Sequence, residues 1–408
     1  MIMELKLRAN IWKITLSDIF YGFGVTASIR ILFFNDLGYS ADYLAFFEVI
    51  TSIMIVLSDL FTGVIADRIG RKNSVLISNM AFLIMAIILG SSMWFSGGFW
   101  IILIICGSLN GLEFSFRSGA KSALVYDTLI QLHQEKDYLK ITGRMNAFSI
   151  ASNVVGMVLG GFLFDNVSFL PYWIWVGCII ISSIILITVQ EPFKQRTRKE
   201  SFWNDMKFGV KYIFNSKALL WLILFFLYID VFAESYWDTF SQTHMKLLID
   251  SHVGVIFGVI GGCCAIASYF IYKIEQAVGQ KWMLYGIVIV QAILFLGIGW
   301  ASNWYVLAIL VLLLDINRNF SWLLSDSYRN KLIPSEHRAA ILSAASFLNN
   351  GLFGGGIIIL GIGWLIENVN FGILFTVLAV IILAVNGSLL IGRDVNMRRK
   401  LSRIQIDP

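Results

Sequence analysis

Residues 218–238 read ALLWLILFFLYIDVFAESYWD. No charge interrupts the run from Ala218 to Ile229, and then Asp230, Glu234 and Asp238 follow at i, i+4 and i+8. That spacing stacks three carboxylates along one face of a helix. A segment this apolar is suited to lipid, where about 20 residues cross ~30 Å of hydrocarbon. Ionisable groups inside such a span are costly and turn toward a cavity or a partner. With the helix starting near Lys217, Asp230 lies about 18–20 Å along it at 1.5 Å per residue, near mid-membrane. Neighbouring carboxylates in low dielectric cannot all stay ionised, so at least one is expected to exchange protons near neutral pH.

The rest of the chain has the same character. Of 408 residues, 58% are hydrophobic and 14% charged, against about 25% charged in ordinary soluble domains. This composition excludes a disordered chain, a disulfide-stapled secreted domain and a nucleic-acid binder. Apolar segments fall at 10–35, 42–65, 74–95, 98–126, 142–164 and 170–189, then at 218–243, 252–272, 282–300, 303–327, 340–366 and 370–392. Twelve spans are expected, so the fold class is an all-α integral membrane protein with two six-helix bundles around a central cavity. Apart from Arg30, Lys246 and Arg318, all of the 31 Lys and Arg residues fall on alternate connections, on the polar span ends beside them, or on the two tails. The positive-inside rule then places both termini in the cytoplasm and the multi-pass chain in the cytoplasmic membrane.

The expected organisation is a first bundle over 1–189, a linker over 190–217, a second bundle over 218–392 and a tail over 393–408. The linker is charged and aromatic, which suits either an amphipathic surface helix or a plain solvated tether. Weak internal similarity indicates duplication: Glu113 and Tyr126 match Asp315 and Tyr328 at an offset of 202, and Gly70 and Lys72 match Gly279 and Lys281 at 209. Parallel repeats with a midplane site are a transporter architecture.

Interior charges recur on every third span: Asp18 and Arg30; Glu113, Arg117 and Lys121; Asp230, Glu234 and Asp238; Asp315, Arg318 and Asp326. Span 2 adds Glu48 and Asp59, while spans 3, 6, 9 and 12 have none. Spans 1, 4, 7 and 10 are therefore expected to line a wet pathway, with the uncharged spans toward lipid. The candidate substrate and proton residues are Asp18, Arg30, Glu113, Arg117, Asp230, Glu234, Asp315 and Arg318. Asp315 and Arg318, at i, i+3, are placed to pair, as a structural bridge or as part of a substrate site. Arg117, Lys121, Asp238 and Asp326 lie near span ends, where snorkelling to the interface is the simpler expectation.

Between spans 2 and 3 the chain reads GVIADRIGRK, Gly63 to Lys72. This resembles the signature loop of the major facilitator superfamily, matching at Gly63, Asp67, Arg68, Gly70, Arg71 and Lys72. Twelve spans, a central link and YRNKLIPSEHRAAILS after span 10 extend the similarity over the whole length. The resemblance implies alternating access by two rocking bundles. It also implies a latch in which Asp67 caps the start of span 11 near Ala339, Arg71 reaches Asp127, and Arg338 is a further partner; an anion at a helix N-terminus is favoured by the dipole. Span 5 departs from the antiporter pattern of the family: it has Gly156, Gly160 and Gly161 but no Pro, and Gly156-x-x-x-Gly160 also reads as close helix packing. Gly107 stands where proton-coupled members often carry arginine.

No Walker A loop is present; SGAKS at 118–122 is a near miss. His133, His244, His252 and His337 lack metal-ligand spacing, so no metal or other cofactor is expected. Cys106, Cys178, Cys263 and Cys264 fall in spans and read as packing residues. No nucleophile–base arrangement indicates an enzyme. The expected function is proton-coupled movement of a small organic solute, with export preferred. The expected partners are a small-molecule substrate, protons and the lipid bilayer, without nucleic acid, for a monomer. Uptake of a nutrient or anion through Arg30, Arg117 or Arg318 is the alternative, and a non-transporting sensor or assembly partner a more distant one.

Overall fold

The computed structural model describes residues 2–27, 29, 30, 33, 41–94, 99–192, 202–237, 241–246, 248, 253–348 and 370–391. Every regular element among them is a helix. The first half holds α1 (Ile2–Tyr21), α2 (Ala41–Ile69), α3 (Arg71–Ser91), α4 (Phe99–Gln131), α5 (Tyr138–Asn166) and α6 (Leu170–Ile187). Next come α7 (Phe202–Asn215), α8 (Lys217–Ser235), the short α9 (Ser241–Lys246), α10 (Val253–Val278), α11 (Gln280–Gly299), α12 (Trp304–Leu332), α13 (Arg338–Ser346) and α14 (Phe371–Ile391).

Eight of these helices are long and apolar enough to cross a membrane, and ten spans result if two bent pairs each count as one. The two expected spans outside that set are the first, where α1 carries several charges, and the eleventh, most of which lies outside the described residues. Large apolar side chains such as Ile101, Phe162, Ile187, Ile266 and Ile309 are exposed on helix exteriors, where hydrocarbon rather than water is the favourable solvent.

The chain packs as two units: Met1–Lys211 with Pro334–Leu352, and Tyr212–Ile333 with Phe353–Pro408. The linker contributes α7, which meets α8 at 90°. Ser216 caps the start of α8, accepting from the Leu219 N–H at 3.4 Å, so the helix has a defined origin. Two turns repeat between the halves. Gly70 joins α2 to α3 with φ +100°, and Gly279 joins α10 to α11 with φ +81°. Only glycine adopts this conformation without strain, and both belong to the matched positions of the duplication.

The first unit has two apolar clusters. One gathers Val25, Phe47, Met85, Leu103 and Ile179; the other gathers Ile14, Val75, Ala120, Leu124 and Leu186. Along α1, α3, α4 and α6 the two clusters are separated by buried polar residues, among them Asp18, Asn79, Arg117 and Ser182. A polar layer thus lies between the two apolar clusters.

The first span differs from a continuous helix over 10–35. Helix α1 ends at Tyr21, and Gly22 to Ala27 form turns. Close approach to α5 is the physical reason. A Cβ on Gly24 would fall 2.3 Å from Asn153 Nδ2, and one on Gly160 would fall 1.9 Å from the Val25 carbonyl oxygen. The chain leaves the helix where α5 offers a glycine notch, and α5 also supplies hydrogen bonds to freed carbonyls: Ser152 Oγ donates to Ile19 O at 2.7 Å and Asn153 Nδ2 to Gly22 O at 3.3 Å. The Gly156/Gly160 pair therefore serves close packing.

Gly161, one residue on, has nothing within 4 Å of an added Cβ. Gly160→Ala is expected to destabilise by roughly 1–3 kcal/mol through overpacking. Gly161→Ala is expected to be neutral or slightly stabilising, because alanine favours helix over glycine. Thermal unfolding of the two variants in detergent gives the comparison.

Candidate functional site

In the first unit the polar layer is a connected network. Arg117 on α4 donates from Nη2 to Asp18 Oδ1 on α1 at 2.6 Å and from Nη1 to Asn79 Oδ1 on α3 at 3.0 Å. Its guanidinium carbon lies 3.4 Å from the Tyr21 ring centroid, a cation–π contact. Lys121, one turn further along α4, pairs with Asp18 Oδ2 at 2.8 Å. Asn79 passes the network to α6, donating to Ser182 Oγ at 3.2 Å and Ser183 Oγ at 3.1 Å, and Ser17 meets Ser182 at 2.8 Å. Glu113 is bound by hydroxyls: Tyr21 donates to it in a short bond, and Ser78 Oγ donates at 3.2 Å.

This geometry corrects the snorkelling expectation for Arg117 and Lys121. Both turn inward onto Asp18, which is buried and needs compensating charge. Asp326 is likewise buried, bonded by Asn330 Nδ2 at 3.1 Å. Asp238 lies outside the described residues. Arg30 pairs with Glu48 at 2.8 Å with both side chains about half exposed, at 43% and 51%.

In the second unit α8 faces α12. Arg318 donates to Glu234 Oε2 at 2.6 Å and to Asp315 Oδ1 at 2.7 Å, with the Trp237 ring centroid 5.1 Å away. The i, i+3 pairing of Asp315 with Arg318 is thus present, with Glu234 as a second acid. Ser321 Oγ donates to Asp230 Oδ1 at 2.5 Å. Asp230 and Glu234, one turn apart on α8, therefore engage Ser321 and Arg318, one turn apart on α12. Two uncharged spans anchor α8 just before Asp230: Asn386 of α14 donates to Phe225 O at 2.6 Å, and Gln291 of α11 to Ile229 O at 2.8 Å. Spans 3, 6, 9 and 12 thus each turn a buried polar residue inward, at Asn79, Ser182, Gln291 and Asn386, besides the faces they offer to lipid.

A third cluster, within the first unit, surrounds the Gly63–Lys72 loop. Asp67 Oδ2 accepts the Ala340 N–H at 2.8 Å, capping α13 one residue beyond Ala339. Arg71 contacts Asp67 at 3.7 Å and pairs with Asp127, and Arg338 pairs with the other oxygen of Asp127. Arg338 also lies 4.2 Å over the Tyr126 ring. Gly63 is required where α2 meets α13, since a Cβ there would sit 2.5 Å from Ala339 O and Ser343 Cβ. Lys72 Nζ donates to Ile187 O at 3.4 Å, while Arg68 is exposed. Glu191, just past α6, caps α3: its two oxygens accept the Arg71 and Lys72 N–H groups at 2.7 and 2.9 Å, beside Gly70. At the matched positions of the second half stand Gln276 and Gln280 in place of Asp67 and Arg71, so the second loop has the glycine turn without the acid–base set.

The family model of the Major Facilitator Superfamily matches residues 14–350. The chain belongs to this superfamily. Solved structures of the same fold include the human organic anion transporter MFSD10 (TETRAN), with TM-score 0.69 and 15% identity over 95% of this chain and 99% of that one. A bacterial homologue of the iron transporter ferroportin, in an outward-facing state, gives TM-score 0.70 and 17% identity over 95% and 98%. The E. coli fucose:proton symporter FucP gives 0.70 and 10% over 94% and 98%. No curated protein sequence matches the chain. Superfamily membership implies a multi-pass membrane protein that handles a small molecule.

Sequence reasoning missed Tyr21, Ser78, Asn79, Ser182 and Glu191. A search for every polar residue inside a span, beyond the ionisable ones, would have flagged the first four. Replacing Arg117 by Met leaves buried Asp18 to Lys121 alone and is expected to cost roughly 3–5 kcal/mol. The double variant Asp18→Asn/Arg117→Met is expected to lose less than the single one, a non-additivity that a double-mutant cycle of thermal stabilities in detergent measures.

Proposed function

We propose that this protein is a secondary active transporter that exports a small, partly apolar organic solute across the cytoplasmic membrane in exchange for protons. The observation that carries this reading is the occupancy of the arginines. Arg30 is paired with Glu48, Arg117 with Asp18, and Arg318 with both Asp315 and Glu234. An anionic substrate would have to displace a carboxylate from whichever arginine received it. In the α8–α12 cluster, three carboxylic acids (Asp230, Glu234 and Asp315) face two arginines, Arg318 directly and Arg329 within electrostatic reach of Asp230, an acidic balance that suits protons or a cationic solute. Asp230 and Glu113 are held by hydroxyls, which can serve a carboxylate as donors and a protonated carboxyl as acceptors. In this reading they carry the exchanged protons. Asp18 and Arg117 keep the first unit's charges paired, and Asp67, Arg71, Asp127 and Arg338 hold the cytoplasmic latch during alternating access.

Cells expressing the chain are expected to tolerate higher concentrations of lipophilic cations, with ethidium and tetraphenylphosphonium as the probes. In proteoliposomes an imposed pH gradient is expected to drive their movement. Asp230→Asn is expected to abolish the gradient-driven flux while membrane levels of the protein stay the same. Equal flux in the variant would remove Asp230 from the coupling, and flux of organic anions in place of cations would favour the uptake alternative.

A further inference from the structure

Asp59 on α2 belongs to none of the clusters above. Its side chain is completely buried, and what faces its carboxyl group is the pair of hydroxyls of Ser115 and Ser346, which serve a carboxylate as donors and a protonated carboxyl as acceptors. With Gly63 and Asp67 it forms an i, i+4, i+8 stripe along which α13 runs: Ala340 meets Asp67, Ala339 and Ser343 meet Gly63, and Ser346 lies beside Asp59. Helix α2 bends by 56° immediately after Asp59. The hydroxyls on either side are committed elsewhere, Ser58 to Met54 O and Ser115 Oγ and Thr62 to the Asp59 and Ser115 carbonyls. Back-bonded Ser and Thr of this kind bend helices.

No cation among the described residues compensates Asp59. On α4, Arg117 is engaged by Asp18 and Asn79, and Glu113 by Tyr21 and Ser78. On α3, Arg71 is engaged by Asp127 and Asp67; on α13, Arg338 by Asp127; and His337, in the turn before α13, stacks on Phe208. An ionised carboxylate in this position would be an unpaired charge in a low dielectric, which costs far more than the neutral acid.

We propose that Asp59 is a proton-binding site whose occupancy is coupled to the seating of α13 on α2. With α13 seated, Asp59 holds a proton as the neutral acid. When α13 lifts away, water reaches the stripe and Asp59 releases the proton to the cytoplasm. Linkage fixes the sign: the seated state binds more protons, so acidification on this side favours seating and alkalinisation favours release. The proposal rests on the proton-coupled transporter reading and adds to it where a proton leaves.

The test uses spin labels on Asn73→Cys and Ser335→Cys, both exposed sites, in a chain whose four native cysteines are changed to Ala. The interspin distance is measured by electron paramagnetic resonance in detergent, without substrate or gradient. The short-distance population is expected to grow as the pH falls from about 8 to about 5, a window that spans a carboxyl with a buried neutral form. Asp59→Asn is expected to keep the short distance at both ends of that range. Asp59→Ser, read in the same way, covers failure of the Asn variant to fold. A pH response in these variants equal to that of the parent, or no response in the parent, overturns the proposal. Because the measurement involves no flux, it stands apart from the transport assay, and either reading can fail alone.

Discussion

A charge inside hydrocarbon must find its partner within the protein, and that requirement organises the structure. In the first unit it gathers Asp18, Arg117 and Lys121 into one layer between two apolar clusters, with Tyr21, Asn79 and Ser182 completing the hydrogen bonds. Removing one partner would leave a buried ion, so the layer is all-or-none, and the helices that contribute to it are held in register with one another.

The two halves share a frame but use it differently. Gly70 and Gly279 make the same left-handed turn, and each half carries an acid and an arginine about one turn apart on its fourth span, Glu113 with Arg117 and Asp315 with Arg318. In the first half the arginine reaches across to the acid of the first span, and Glu113 is left to hydroxyls. In the second half Arg318 holds both Asp315 and Glu234, and Asp230 is left to a hydroxyl. Of the acids in these two clusters, Glu113 and Asp230 are bound by hydroxyls and not by a basic side chain. The loops diverge further: Asp67 and Arg71 give the first half an ionic seat for α13, while Gln276 and Gln280 give the second half none.

This arrangement relates the latch to the interior acids. Asp67 seats α13 through a backbone N–H, Gly63 lets the two helices approach, and Asp59 closes the stripe as a buried acid. One helix face therefore carries a carboxylate that caps α13 and, two turns away, a fully buried carboxyl group.

Much of this was legible in the sequence because hydropathy and charge act over local windows. Apolar runs such as 218–229, repeated along the chain, point to membrane helices, the i, i+3 spacing of Asp315 and Arg318 makes their pairing local, and GVIADRIGRK carries its own turn and charges. The tertiary structure alone decided which way long side chains point and which distant groups meet. Arg117 could reach the interface or the interior, and only the position of Asp18 on another helix selects the interior. Gly22 and Gly24 could continue a helix, and only the notch of Gly156 and Gly160 makes them leave it. Neutral residues such as Tyr21, Asn79 and Ser182 carry no marker of function along the chain. Their role arises because packing takes them out of reach of solvent and leaves a buried charge as the partner for their hydrogen bonds.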